Sequence, residues 1–217
     1  MKGLLIKDFL LLRRQIRFFG FFTVFCIFLL HFHFNPAFII GYLTLVFSMF
    51  TFSTITYDEF DNGYPFLFTL PISRRGYVKE KYLFGLILSM VIWLFAFLAA
   101  IVLSIKGSGW SFQEVLVSSL TYFTMIQLFF SLNMPFQLKY GGEKGRIVLM
   151  GVVLAVFAAV FLFSKIETFL NLDLIDSIRY MKFAGNWYYF AALIILWAVA
   201  LTISYTVSAR IMEKKEF

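Results

Sequence analysis

Few residues in this sequence are of types that do chemistry, and their spacing excludes most reactions. His31 and His33 are two positions apart, which sets them on nearly opposite sides of a helix, and the chain has no other histidine. A histidine metal site within one copy is therefore not expected. Cys26 is alone inside an apolar run, so no disulfide forms within the chain and the thiol reads as a small hydrophobe. The stretch Lys139-Tyr-Gly-Gly-Glu-Lys144 carries glycines and lysines, but not at the spacing of a phosphate-binding loop. No Gly-x-Ser-x-Gly, no His-Glu-x-x-His and no pair of span-embedded aspartates is present. The chain is expected not to be an enzyme by itself and to hold no catalytic, cofactor or metal site.

Association is a different matter. Residues 57–81 place the acidic cluster Asp58, Glu59 and Asp61 before Asn62-Gly63, a turn signal. An apolar stretch from Tyr64 to Leu70 follows, then Leu70-Pro71 as a stop, then Ser73. Ser73 is placed to N-cap the next helix, its oxygen accepting an otherwise unpaired backbone N–H. Tyr64–Leu70 is too short to span a membrane and too apolar to be left in water, a pattern that marks a contact with lipid or protein. Phe66, Leu67 and Phe68 are the expected apolar docking residues, with Asp61, Arg74 and Arg75 as polar partners that orient what docks. The alternative is an interfacial turn that simply packs on the helices beside it.

The elements that must position this loop are membrane helices. Of the 217 residues 61% are hydrophobic and only 14% charged, where soluble domains carry about a quarter as charges. Mean hydropathy is +0.86 and there are 31 phenylalanines. In lipid, apolar side chains face outward as well as inward, so one transmembrane domain over 1–217 fits. A crossing needs about 20 apolar residues. Runs near that length lie at Phe18–Phe34, Ala37–Tyr57, Tyr82–Ile105, Val115–Leu138, Ile147–Ser164 and Trp187–Ser208, an all-α fold with six expected spans. The 19 basic residues divide 15 to 4 between the two sides. The N-terminus, the gaps at 74–81 and 139–146 and the tail are rich, while Lys106, Lys165, Arg179 and Lys182 lie opposite. The basic side is expected to be cytoplasmic, with both termini inside. The net charge of +7 thus goes with a membrane and not with nucleic acid.

Two flanking segments are not plain loops. In 1–17, Leu5, Phe9, Leu12 and Ile16 share one helical stripe with Lys7, Arg13, Arg14 and Arg17 opposite, the pattern of a helix lying in the cytoplasmic interface. On the outer side, 166–186 mixes Phe169, Leu170, Leu172 and Leu174 with Asp173, Asp176, Arg179 and Lys182. A short helix, re-entrant or lying on the outer interface, is expected there. Pro135, late in the fourth span, is expected to bend it, with neighbouring helices satisfying the break. The spans hold essentially no charge at mid-depth, where proton- or sodium-driven carriers usually keep some. Energy, if used, must then come from outside the chain.

Asn62-Gly63, Leu70-Pro71-Ile72-Ser73-Arg74, Tyr77-Val78 and Lys81-Tyr82 between spans two and three, with the opening Met-Lys-Gly-Leu-Leu-Ile-Lys-Asp-Phe, resemble permease subunits of bacterial type-2 ABC exporters. Within that group the chain looks most similar to permeases of exporters for phenol-soluble modulins and antimicrobial peptides. The resemblance implies a dimer of permeases, more often of identical chains, in the bacterial cytoplasmic membrane. Two separate cytoplasmic ATPase subunits would dock beneath it and hold the ATP and Mg. It implies that residues 58–81 carry a coupling helix, with Asp61, Asn62, Gly63, Phe66, Leu67, Phe68, Leu70, Pro71, Ser73, Arg74 and Arg75 at the ATPase contact, and that 1–17 is a connecting helix. An amphipathic peptide or lipid-like cargo would leave the cytoplasm or membrane. An energy-independent channel or carrier, or a non-transporting peptide-sensing or immunity subunit, remains the alternative.

Overall fold

Asn35-Pro36 starts the helix on which the rest of the molecule is built. The Asn35 side chain accepts the Ala37 N–H at 3.0 Å, and Pro36, with no N–H to satisfy, occupies the first turn. The computed structural model describes residues 2–32, 34–60, 63–104, 111–170 and 187–215. Within these the chain is helical: α1 Lys2–Arg14, α2 Ile16–His31, α3 Pro36–Glu59, α4 Gly63–Leu67, α5 Arg74–Ser104, α6 Phe112–Leu170 and α7 Trp187–Lys214. Four described helices are long and apolar enough to cross a membrane: Pro36–Glu59, Arg74–Val102, Phe112–Gly142 and Ala191–Lys214. They coincide with the expected second, third, fourth and sixth spans. The expected first span corresponds to a shorter apolar helix, Ile16–Leu30. The expected fifth, Ile147–Ser164, lies in the helical second half of α6. Most of the expected outer helix, 171–186, is outside the described residues.

α3 is central. Of its most apolar stretch 67% is buried within the chain, against 17% for α7, whose outer side is left for lipid. Thr44, Ser48, Thr51 and Thr54 run down α3 fully or almost fully buried. Small side chains let neighbouring backbones approach, which favours helix association where lipid removes the hydrophobic drive. Toward one end, Phe19 of α2 packs on Phe47 and Phe50 with ring centroids 4.5 and 5.3 Å apart. Toward the other, Phe52 of α3 stacks on Phe130 of α6 at 5.3 Å, beside buried Tyr77, Tyr82, Met134 and Met212.

At Pro135 the break in the backbone hydrogen bonding is satisfied by a neighbouring helix, as expected. Having no N–H, this proline cannot donate to the Ser131 carbonyl four residues back. Ser204 of α7 donates its hydroxyl proton to that carbonyl instead. Because the Ser204 proton is so committed, Tyr82 of α5 must donate to Ser204 (2.5 Å) and accept from Ser208 (2.9 Å). One proline thus joins α5, α6 and α7 through a directed chain of hydroxyls.

The bend that ends the membrane-length part of α6 explains Gly141-Gly142, the glycines that only superficially suggest phosphate binding. Gly141 has φ 77° and ψ −171°, a conformation almost confined to glycine. A Cβ there would fall 2.0 Å from the Glu59 carboxylate, which accepts the Gly142 N–H at 2.8 Å. The glycines serve a turn that passes closely over the end of α3.

Candidate functional site

The basic gaps of the sequence meet at one end of the molecule, where α1, the 58–81 segment, the bend at 139–142 and the C-terminal end of α7 adjoin. The centre of that end is an ion cluster. The Lys81 ammonium of α5 is fully buried and contacts Asp8 of α1, Asp58 of α3 at 2.8 Å and the Thr54 hydroxyl at 2.9 Å. Lys7 of α1 pairs with Asp58 and lies 3.3 Å from Asp8, and the Tyr77 hydroxyl donates to Asp58 at 3.0 Å. Glu80 is buried next to this group, 3.9 Å from Lys81, with no hydrogen-bond partner for its oxygens among the described residues. Buried charges persist only when paired and hydrogen-bonded, and removing one member is costly. The cluster therefore fixes α1, α3 and α5 to one another.

α1 itself differs in detail from its expected pattern. It ends at Arg14, the chain turns at Gln15, and Leu4, Leu5, Asp8, Leu11 and Leu12 form its inward stripe. Ile16, expected on that stripe, belongs to α2 and is exposed. Lys7, expected on the outer face, turns inward, because its long stem lets the ammonium reach Asp58 from the edge of the helix.

α4 and the segment after it sit on this cluster. Tyr64 is buried, and its ring lies 5.8 Å from Tyr77 and 6.2 Å from Phe68. Burial pushes the Tyr64 phenol above the ordinary tyrosine range. Lys215 places its ammonium 4.9 Å from the Tyr64 ring centroid and bonds Glu59 at 3.2 Å and the Leu138 carbonyl at 3.1 Å.

The expected contact residues separate by position. Phe66 is 74% exposed, and Leu70 and Pro71 are exposed after it. Leu67 and Phe68 are half-buried against the Tyr64–Tyr77 side, with the Arg74 guanidinium 5.9 Å over the Phe68 ring. Ser73 caps α5 as expected, accepting the Gly76 N–H at 3.0 Å. Arg74 donates to the Met212 and Glu213 carbonyls at 3.3 and 2.6 Å, closing the C-terminal end of α7, and Arg75 pairs with Glu213. Both arginines are thus engaged within the chain. Gly63 begins α4 where an added Cβ would fall 2.6 Å from the Asp58 carbonyl oxygen, while Asp61 and Asn62 lie outside the described residues.

No group of three or more metal-ligating side chains exists among the described residues. The family model described as ABC-2 family transporter protein matches residues 3–213. The chain belongs to the ABC-2 transporter family. No curated protein and no solved structure matches it. Membership makes this ABC-2 protein a membrane permease subunit and implies an ATPase subunit as its partner.

The sequence does not single out Asp8, Thr54, Tyr77 and Lys81 as a unit, because Asp8, Thr54 and the Tyr77–Lys81 turn are far apart in the chain and join only through packing. One signal was legible: Asp8 stands on the apolar stripe of α1, between Leu4 and Leu11. A carboxylate on such a stripe needs a buried cation.

Proposed function

We propose that this ABC-2 permease is an exporter subunit whose charged end faces the cytoplasm and receives the work of a separate ATPase through residues 58–81. The observation that carries the reading is the placement of α4. Phe66 projects from its tip, while its base rests on the Tyr64–Tyr77–Asp58–Lys81 contacts that unite α1, α3 and α5. An apolar knob on a rigid root can pass a displacement to three helices at once, as rigid-body switching requires. Phe66 and Leu70 form the apolar part of the contact. Leu67 and Phe68 support it from behind, and Asp61 and Asn62 precede it in the chain.

In this reading two permeases of identical sequence span the bacterial cytoplasmic membrane, each with six crossings and both termini inside. Two ATPase subunits bind the ATP and Mg. The four membrane-length helices, with α2 and the second half of α6, supply the crossings. α1 lies along the inner surface. The cargo is an amphipathic peptide of the phenol-soluble modulin or antimicrobial type, or a molecule of lipid-like character. Spans with essentially no charge at mid-depth support such cargo over a hydrophilic solute. Cargo must bind one state better than the other for ATP to drive its movement.

The test is co-purification of the permease with its ATPase. Phe66→Ala is expected to reduce the ATPase recovered at least tenfold without changing permease thermal stability. Undiminished recovery would reject 58–81 as the coupling element.

A further inference from the structure

A groove of about 500 Å³ runs between α6 and α7, opening beside Pro135. Its walls are Leu132, Pro135 and Phe136 on one side and Ile203 and Val207 on the other, with Lys139 at the charged end. The α7 wall extends from Ala200 to Ile211, about 16 Å at the helical rise. That is about half of the roughly 30 Å hydrocarbon core, one leaflet deep.

Charge identifies the occupant. Lys139 is exposed and carries no carboxylate partner among the described side chains, its ammonium lying over the neighbouring Tyr140 ring at 5.1 Å. Among the described carboxylates of this end, Glu213 pairs with Arg75, Glu59 bonds Lys215 and the Gly142 N–H, and Asp8, Asp58 and Glu80 are buried around Lys81. Arg210 is exposed one turn beyond Val207 on α7. A leaflet-deep apolar slot ending at a cation with no carboxylate partner among the described side chains matches a lipid with an anionic headgroup.

We propose that this groove binds one acyl chain of an anionic phospholipid from the leaflet at the charged end, with the phosphate against Lys139. The bound lipid covers the α6–α7 seam outside the Ser131–Ser204 hydrogen bond. The site is independent of the 58–81 segment, and its test needs no ATPase.

The full chain, purified in mild detergent, is titrated with phosphatidylglycerol or with phosphatidylcholine of the same chains, and bound lipid is counted by native mass spectrometry. One phosphatidylglycerol is expected to bind more tightly than phosphatidylcholine. Lys139→Gln should weaken phosphatidylglycerol about fivefold, the conversion of about 1 kcal/mol for one lysine at an anionic surface, and leave phosphatidylcholine unchanged. Lys79→Gln, which removes an exposed cation of the same end away from the groove, should have no effect. Val207→Trp, which fills the slot, should weaken both lipids, and inorganic phosphate should displace neither. Equal loss in the Lys79 and Lys139 variants would overturn the site in favour of diffuse attraction. Displacement by phosphate would overturn it in favour of a bare anion contact. Unchanged binding in the Lys139 variant, whose exposed position leaves folding intact, would overturn it outright.

Discussion

Replacing Lys81 by Met tests whether the buried cluster holds the charged end together. Met is close in length and leaves the methylene packing nearly filled, so the change is chiefly electrostatic. It removes the cation that faces Asp8, Asp58 and the Thr54 hydroxyl beside buried Glu80, and leaves Asp8 and Asp58 with Lys7 as their one cation among the described residues. Breaking a buried ion pair by deleting one partner costs about 3–5 kcal/mol. Lys7 is partly exposed and already shared, so it offsets only part of this, and about 3 kcal/mol is expected. For a chain of this length that corresponds to a fall in Tm of roughly 6–12 °C, readable by thermal unfolding in detergent. Lys81→Met combined with Asp8→Leu exchanges the pair for apolar groups, which is often neutral relative to the intact pair. The double variant should therefore be more stable than Lys81→Met alone, with a coupling of about 1–3 kcal/mol. If the single change moves Tm by less than 2 °C, roughly 1 kcal/mol at this size, or if the two changes add, the cluster does not bind α1 to α3 and α5.

Three further outcomes follow from the same contacts. Ser204→Ala should destabilise by about 1–3 kcal/mol, because the Ser131 carbonyl loses its donor. In a Pro135→Ala background, where position 135 regains an N–H, that loss should shrink, and equal losses in both backgrounds by thermal unfolding would contradict the assignment. Gly141→Ala should cost about 1–3 kcal/mol from backbone strain alone, and more because Glu59 must give up the Gly142 N–H and Lys215, visible as a lowered Tm. Ser73→Ala should cost about 1 kcal/mol through loss of the α5 cap and leave ATPase recovery less affected than Phe66→Ala does.

The periodicity and length of the apolar runs made the membrane helices legible, since a crossing must satisfy its own backbone and show apolar side chains to lipid. Four runs appear as membrane-length helices close to their expected limits, and Ser73 caps the helix it precedes. The limits of α1 were less legible. Its stripe continues in phase to Ile16, but the chain turns at Gln15, and nothing in the spacing marks that turn. Arg74 and Arg75 read as polar partners for whatever docks on the loop, and sequence shows their charge without showing what else in the chain approaches it. Glu213, 138 positions beyond Arg75, is brought beside it by the packing of α5 against α7.

By itself the sequence determined that this is an all-helical membrane protein with one strongly basic side, an apolar loop between its second and third runs, and the pattern of an ABC-2 permease. These are local properties of hydropathy, charge and motif, and each is fixed by neighbours in the chain. Only tertiary structure decided which charges are buried together, which of Phe66, Leu67 and Phe68 is exposed, and how Pro135 is tolerated. Those outcomes depend on side chains brought into contact across distances such as the 73 residues between Asp8 and Lys81, and between Ser131 and Ser204. In a low-dielectric interior the energy of a charge or a carbonyl is set by its partner, and the partner is chosen by packing.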